Sequence, residues 1–133
     1  MVEEAKDLGF AVMSAEFFVQ DVESNIEFFE KLGFLRRYTE PADAMGRIPR
    51  ASLRGGNGRI WLRRADHSEG TRPTPGVVLY FWIDGGDEGL RNHRDRIAAR
   101  GIPVSPFIDD LALRNFTVTS PDGYLIGFFT QYR

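Results

Sequence analysis

The feature that most constrains this chain is an internal repeat. Residues 15–34 and 78–104 each contain an apolar strand, a polar turn, a helix and a glycine that leads into another strand. Val19 and Ile83 occupy equivalent places in the two copies, 64 residues apart (83 − 19 = 64). A unit that recurs over about half of a 133-residue chain predicts two similar modules packed as a tandem pair.

The first copy predicts a strand over residues 11–20, followed by a helix. Asp21 is placed to cap that helix, because its side-chain oxygen can accept from a free backbone N–H of the first turn. Gly33 is placed to end the helix, where a positive φ costs glycine little. The apolar stripe of this helix recurs at helical spacing and consists of Val22, Ile26, Phe29 and Leu32. A strand at 34–38, a loop at 39–49 and a hairpin joining 50–54 to 59–63 complete the module.

The second copy repeats this order after a polar linker at 66–75. We expect a strand over 77–83, a helix capped by Asp87 that buries Leu90, Ile97 and Ala98, and a short strand over 102–104. A closing hairpin joins 113–119 to 125–130 around the turn residues 120–123. The sequence therefore predicts a single α+β domain of two β-α-β-β-β modules, one over about 10–66 and one over about 76–133.

Composition excludes several classes of function. The chain has no cysteine, which excludes thiolate metal sites and cysteine nucleophiles and favours the cytoplasm. With 17 Lys and Arg against 19 Asp and Glu, the net charge is −2, so we expect no nucleic-acid or membrane partner. No apolar run has the length of a membrane span, and the acidic N-terminus does not have the pattern of a signal peptide.

Two motifs resemble one known superfamily. The run VQDVESNIEFFEKLGF at 19–34 is similar to the opening signature of the vicinal oxygen chelate superfamily, and RNFTVTSPDGYLI at 114–126 is similar to its closing signature. Ser120 stands where that closing signature usually has aspartate. The superfamily contains glyoxalases, extradiol dioxygenases, fosfomycin resistance enzymes and bleomycin resistance proteins. The resemblance covers nearly the whole chain after about residue 10.

The resemblance implies modules whose sheets curl into an open half-barrel around a cleft, and chains that associate as homodimers. Metalloenzymes of the superfamily place metal ligands at four strand positions, which in this sequence are Ser14, Trp61, Val78 and Gly127. None of these is a usual ligand for a divalent metal. His67 in the linker and His93 in the predicted helix do not restore a site. We therefore expect no metal and no other cofactor.

Strand alternation predicts what the cleft contains instead. If Phe17, Ile60, Phe81 and Phe128 pack into the core, their neighbours in sequence face the cleft. The predicted ligand-binding residues are Glu16, Phe18, Arg59, Trp61, Tyr80, Trp82 and Phe129, with Arg63 and Asp84 nearby. A wall of aromatic rings with a few charges suits a planar or cationic organic ligand.

The sequence thus predicts a metal-independent protein that binds a drug or metabolite, closest in character to the bleomycin resistance branch. Three alternatives stay open. The chain is a lyase or isomerase with Glu16 as general base; it binds a metal through Glu16, Asp84 and His67; or it serves only in assembly, with side chains filling the cleft.

Overall fold

The structure, a computed structural model, describes residues 14–66, 70–110 and 113–131 of the chain. The first module contains β1 (Ser14–Val19), α1 (Val22–Lys31), β2 (Leu35–Thr39), β3 (Arg50–Gly55) and β4 (Gly58–Arg64). The second contains β5 (Val78–Trp82), α2 (Gly86–Ala99), β6 (Ile108–Asp110), β7 (Leu113–Thr119) and β8 (Leu125–Gln131). Neither helix in the described ranges is long and apolar enough to cross a membrane.

The two modules have the same sheet topology. The first sheet has the strand order β1-β4-β3-β2 and the second has the order β5-β8-β7-β6. In each sheet the first strand pairs in parallel with the last, and the remaining pairs are antiparallel. The predicted α+β fold of two β-α-β-β-β modules is therefore confirmed.

The start of α1 follows the predicted capping chemistry. Asp21 has an extended backbone, and its carboxylate accepts from the Ser24 N–H at 2.9 Å, as expected for an N-cap. The predicted stripe is buried, and the chain leaves the helix through Gly33 at φ 107°. This helix thereby packs its apolar face onto β3 and β4 and leaves the opposite face of the first sheet uncovered by α1.

The prediction that Asp87 caps the second helix is wrong. Gly85 occupies the N-cap position at φ 94°, and Asp87 lies within the first turn. Its carboxylate accepts from Arg91 at 2.7 Å and from Arg114 at 2.6 Å, so it serves side chains instead of the free amides. Ala98 is exposed, whereas Leu90 and Ile97 are buried as predicted.

The predicted strand at 102–104 is also absent. The Ile102 N–H is directed back to the Ile97 carbonyl at 3.4 Å, and Pro103 has no N–H to donate to a ladder. The edge strand β6 forms later, at Ile108–Asp110, and pairs with β7. β6 ends at Asp110, which lines a cavity of about 280 Å³ beside the second sheet.

One continuous core joins the modules. The rings of Phe34 and Phe81 meet edge to face at 5.1 Å, and the Tyr124 hydroxyl donates to the Phe18 carbonyl at 2.8 Å. Asp122 accepts from the Gln20 N–H at 3.0 Å and from the Asn25 amide at 2.9 Å. The turn of the closing hairpin is therefore fastened to the end of β1 and the start of α1.

Candidate functional site

Each sheet has one face in the core and one open face, and burial follows the predicted alternation. Phe17, Leu62 and Phe128 are buried. Glu16 and Tyr80, whose positions on β1 and β5 point the other way, are exposed. The open faces of both sheets carry the residues that the sequence analysis selected as candidates for ligand binding.

The open face of the first sheet holds a cluster of charged and aromatic side chains. Glu16 accepts from Arg50 at 2.9 Å (Nη2) and 3.1 Å (Nε), and Arg63 lies 3.6 Å from its other carboxylate oxygen. The Arg50 guanidinium stacks over the ring of Trp61 at 4.3 Å from the centroid. We call this group the first-sheet cluster: Glu16, Phe18, Tyr38, Arg50, Trp61 and Arg63.

Sequence reasoning missed Arg50, the residue that contacts both Glu16 and Trp61. The signal was present, because the two-residue turn at Gly56 and Asn57 fixes the register of the hairpin and places Arg50 directly opposite Arg63. Glu16 is also less free than predicted, since arginines engage both of its oxygens. Its role as a general base stays a prediction.

The open face of the second sheet is aromatic. Phe129 contacts Tyr80 at 6.3 Å and Trp82 at 5.7 Å between ring centroids. These three rings form the second-sheet cluster. Beside it lies a cavity of about 280 Å³ lined by Tyr80, Asp110, Leu113, Asn115 and Phe129. Trp82 is 59% exposed and Tyr80 is 51% exposed, so the rings present their surfaces to solvent.

The two clusters do not contact each other directly, and their sharing one cleft stays a prediction. Across 14–66, 70–110 and 113–131, no ring contact or ion pair joins the first-sheet cluster to the second-sheet cluster. The reason is topological, because β1 and β5 are edge strands of two separate sheets with no ladder between them. Asp84 lies beyond the end of β5 and lines a different cavity of about 250 Å³, together with His93.

The residues at the four metal-ligand positions do not fit a metal ion. Ser14 has at most one weak ligand oxygen, the Trp61 ring is covered by Arg50, and Val78 has no donor atom. At Gly127 the ring of Tyr80 occupies the space into which any Cβ would extend. In the described part of the chain, no three His, Cys, Asp or Glu side chains are grouped to hold a metal.

Neither histidine adds a metal ligand to these positions in the described part of the chain. His67 lies outside the described residues, so the alternative metal set of Glu16, Asp84 and His67 keeps two placed members. Asp84 lines the cavity of about 250 Å³, and Glu16 belongs to the first-sheet cluster, where it is paired with Arg50. His93 packs in α2 against Phe128, with ring centroids 4.5 Å apart. Burial, with Arg96 and Arg100 nearby, lowers the pKa of His93 to about 4.

The chain has the fold of the glyoxalase, bleomycin resistance and dioxygenase proteins, which is the vicinal oxygen chelate fold. The resemblance seen in the two sequence motifs is thereby confirmed for the fold. No protein-family model and no curated protein matches the sequence.

Among solved structures, TioX from Micromonospora sp. ML1 superposes with a TM-score of 0.68 at 23% identity, over 89% of this chain and 94% of TioX. TnmS3, an antibiotic binding protein from Streptomyces sp. CB03234, gives 0.67 at 21% identity, over 92% of this chain and 96% of TnmS3. Lactoylglutathione lyase from Agrobacterium tumefaciens gives 0.67 at 17% identity, over 90% and 92%. At these identities, all below 25%, the likeness establishes the fold alone, because one fold can host many functions.

Proposed function

We propose that this protein binds a planar organic ligand on the second-sheet cluster without a metal ion, and so sequesters a drug or metabolite. The observation that carries the proposal is the pair of exposed rings, Tyr80 and Trp82, beside a cavity of about 280 Å³. A contiguous patch of exposed aromatic rings beside a cavity is typical of a binding site, because exposing such rings to water is unfavourable.

The chemistry of the cavity indicates what the ligand presents. Phe129 backs both rings, so a planar ligand gains stacking contacts worth about 0.5–1.5 kcal/mol each. Asp110 and Asn115 are the polar residues that line the cavity. Asp110 would pair with a basic group on the ligand, and Asn115 would fix its orientation by hydrogen bonding.

Two further considerations support binding over metal-dependent catalysis. The donor set at Ser14, Trp61, Val78 and Gly127 suits no divalent metal. One solved structure with this fold, TnmS3, is described as an antibiotic binding protein. Sequestration needs affinity but no reacting group, and stacking on aromatic rings supplies affinity.

We also propose that the protein is a cytoplasmic homodimer. The open face of the first sheet exposes the ring of Tyr38 at 50%, and a second copy would shield it. A mass near twice 15.1 kDa by light scattering is the expected result, and a mass of 15.1 kDa at all concentrations would contradict it.

The two tryptophans allow a direct test of the binding site. Trp61 lies in the first-sheet cluster and Trp82 in the second-sheet cluster, so Trp61→Phe and Trp82→Phe each leave one reporter. Titration with 9-aminoacridine, a planar cation, is expected to quench Trp82 fluorescence in W61F. Asp110→Asn is expected to weaken this binding about tenfold, the value of one charge-assisted contact. Equal affinity of the protein with and without Asp110, or no quenching of Trp82, would refute the proposal.

A further inference from the structure

The hairpin of β3 and β4 places arginines opposite arginines twice. Arg50 pairs with Arg63 and Arg54 pairs with Arg59 in the antiparallel register. All four belong to the open face of the first sheet, because the residues between them, Ala51, Leu53, Ile60 and Leu62, are buried in the core. Like charges directly opposite each other destabilise a sheet, so an anion bound between the arginines of a pair would reduce their repulsion.

The first pair has its anion within the chain. Glu16 on the neighbouring strand β1 binds Arg50 at 2.9 Å and lies 3.6 Å from Arg63. One carboxylate therefore bridges the two guanidinium groups and compensates their repulsion. This arrangement shows how an oxyanion fits between two opposite arginines on this face.

The second pair has no such anion. Within residues 14–66, 70–110 and 113–131, neither Arg54 nor Arg59 has an ion pair or a side-chain hydrogen bond. Their neighbours across the sheet are Leu35 beside Arg54 and Ser14 beside Arg59, and neither is acidic. Both guanidinium groups are exposed, with their hydrogen-bond donors available to a ligand.

A mainly apolar cavity adjoins Arg59, one member of this pair. It has a volume of about 260 Å³ and lies where β1 and β4 meet β5. Arg59 stands among its lining residues, and the others are Ser14, Ala15, Gly58, Ile60, Leu79, Tyr80 and Phe81. A ligand there can place its ring against Ile60 and Tyr80 while an acidic group reaches Arg59.

We propose that Arg54 and Arg59 bind the oxyanion of an aromatic acid, and that the ring of this acid occupies the adjoining cavity. A guanidinium group donates two parallel hydrogen bonds to a carboxylate or phosphate, so two of them form a strong anion site. The arginines of this site lie outside the second-sheet cluster, with which the cavity shares Tyr80, and the site has the opposite charge preference, since the second-sheet cavity presents Asp110. It therefore goes beyond the proposed function and stands if that function fails.

The test compares an acid with its neutral isostere. We expect calorimetry to show that the wild-type protein binds 2-naphthoate about tenfold or more tightly than 2-naphthamide, the preference that charge-assisted hydrogen bonds supply. The variant R54Q/R59Q is expected to lose this preference. The control R72Q/R96Q removes the same charge from two exposed arginines elsewhere and is expected to keep it.

Four outcomes would overturn the inference. These are equal affinity for acid and amide in the wild type, an unchanged preference in R54Q/R59Q, competition by inorganic phosphate as strong as that of 2-naphthoate, and dissociation of a dimer by R54Q/R59Q. The third would indicate a site for free anions, and the fourth would indicate that carboxylates of a second copy occupy it.

Thermal unfolding confirms that the variant folds, and its melting temperature is expected not to fall because repulsion is removed. 9-Aminoacridine quenching of Trp82 in a W61F background is expected to be the same with and without R54Q/R59Q.

Discussion

The stability of this protein is expected to depend on pH through His93. The imidazole packs against Phe128 at 4.5 Å and Phe116 at 6.3 Å, and its Cε1 lies close to Gly33 of the first module. Its Nε2 atom is buried without a hydrogen-bond partner among the described residues. Burial is the largest cause that lowers the pKa of His93, and the positive charges of Arg96 and Arg100 add to it.

The direction and the size of this pH dependence follow from the linkage between proton binding and folding. The pKa is 6.5 in the unfolded chain and about 4 in the folded one, so the unfolded state binds the proton more tightly and folding stability falls as pH drops from about 6.5 to 4. This difference between the pKa values of His93 in the unfolded and folded states corresponds to about 3.4 kcal/mol for a fully buried ring. Part of the ring is accessible to solvent, which screens the effect, so we expect a loss of about 1–2 kcal/mol.

The assay is urea unfolding at pH 7.0, 5.5 and 4.5 for the wild type and for His93→Phe, which keeps an aromatic ring without the titrating nitrogen. The difference in unfolding free energy between the two proteins isolates His93 from the carboxylates that also titrate in acid. We expect H93F to gain about 1–2 kcal/mol relative to the wild type between pH 7.0 and 4.5. A difference that does not change with pH would refute the reasoning, because it would mean that the folded protein accepts the proton as readily as the unfolded chain.

Two further predictions concern contacts within and between the modules. Asp122→Ala removes the acceptor of the buried Asn25 amide and of the Gln20 N–H, so urea unfolding should show that the free energy of unfolding falls by about 1–3 kcal/mol. The control Pro121→Ala, at the exposed neighbour, should lower it by less. Gly127→Ala forces the Tyr80 ring to move and should cost about 1–3 kcal/mol, and adding Tyr80→Ala should recover part of that loss; equal costs with and without the tyrosine would contradict the contact.

Local patterns in the sequence were sufficient for most of the secondary structure. Asp21 caps α1 because an Asx side chain before a helical apolar stripe satisfies a free amide whatever the rest of the fold does. The same pattern failed at Asp87, where glycines at 85 and 86 already start the helix and two arginines compete for the carboxylate. Pro103 ended a predicted strand for a reason that was also present in the sequence.

The sequence by itself determined which side chains share a face. Strand alternation separates Phe17 from Glu16, and the short turn at residues 56 and 57 sets the register that puts Arg50 opposite Arg63 and Arg54 opposite Arg59. These are consequences of period and turn length, which act over a few residues.

Only the tertiary structure decided which side chains from distant strands meet on the open faces of the two sheets. The Glu16 carboxylate meets Arg50 because β1 pairs in parallel with β4 and not with the strand nearest in sequence, which no local pattern specifies. The aromatic residues divide into two clusters because the modules join through core contacts such as Phe34 with Phe81 and not through a ladder between β1 and β5. Packing between distant segments fixes such placements, and it depends on the shapes of whole modules.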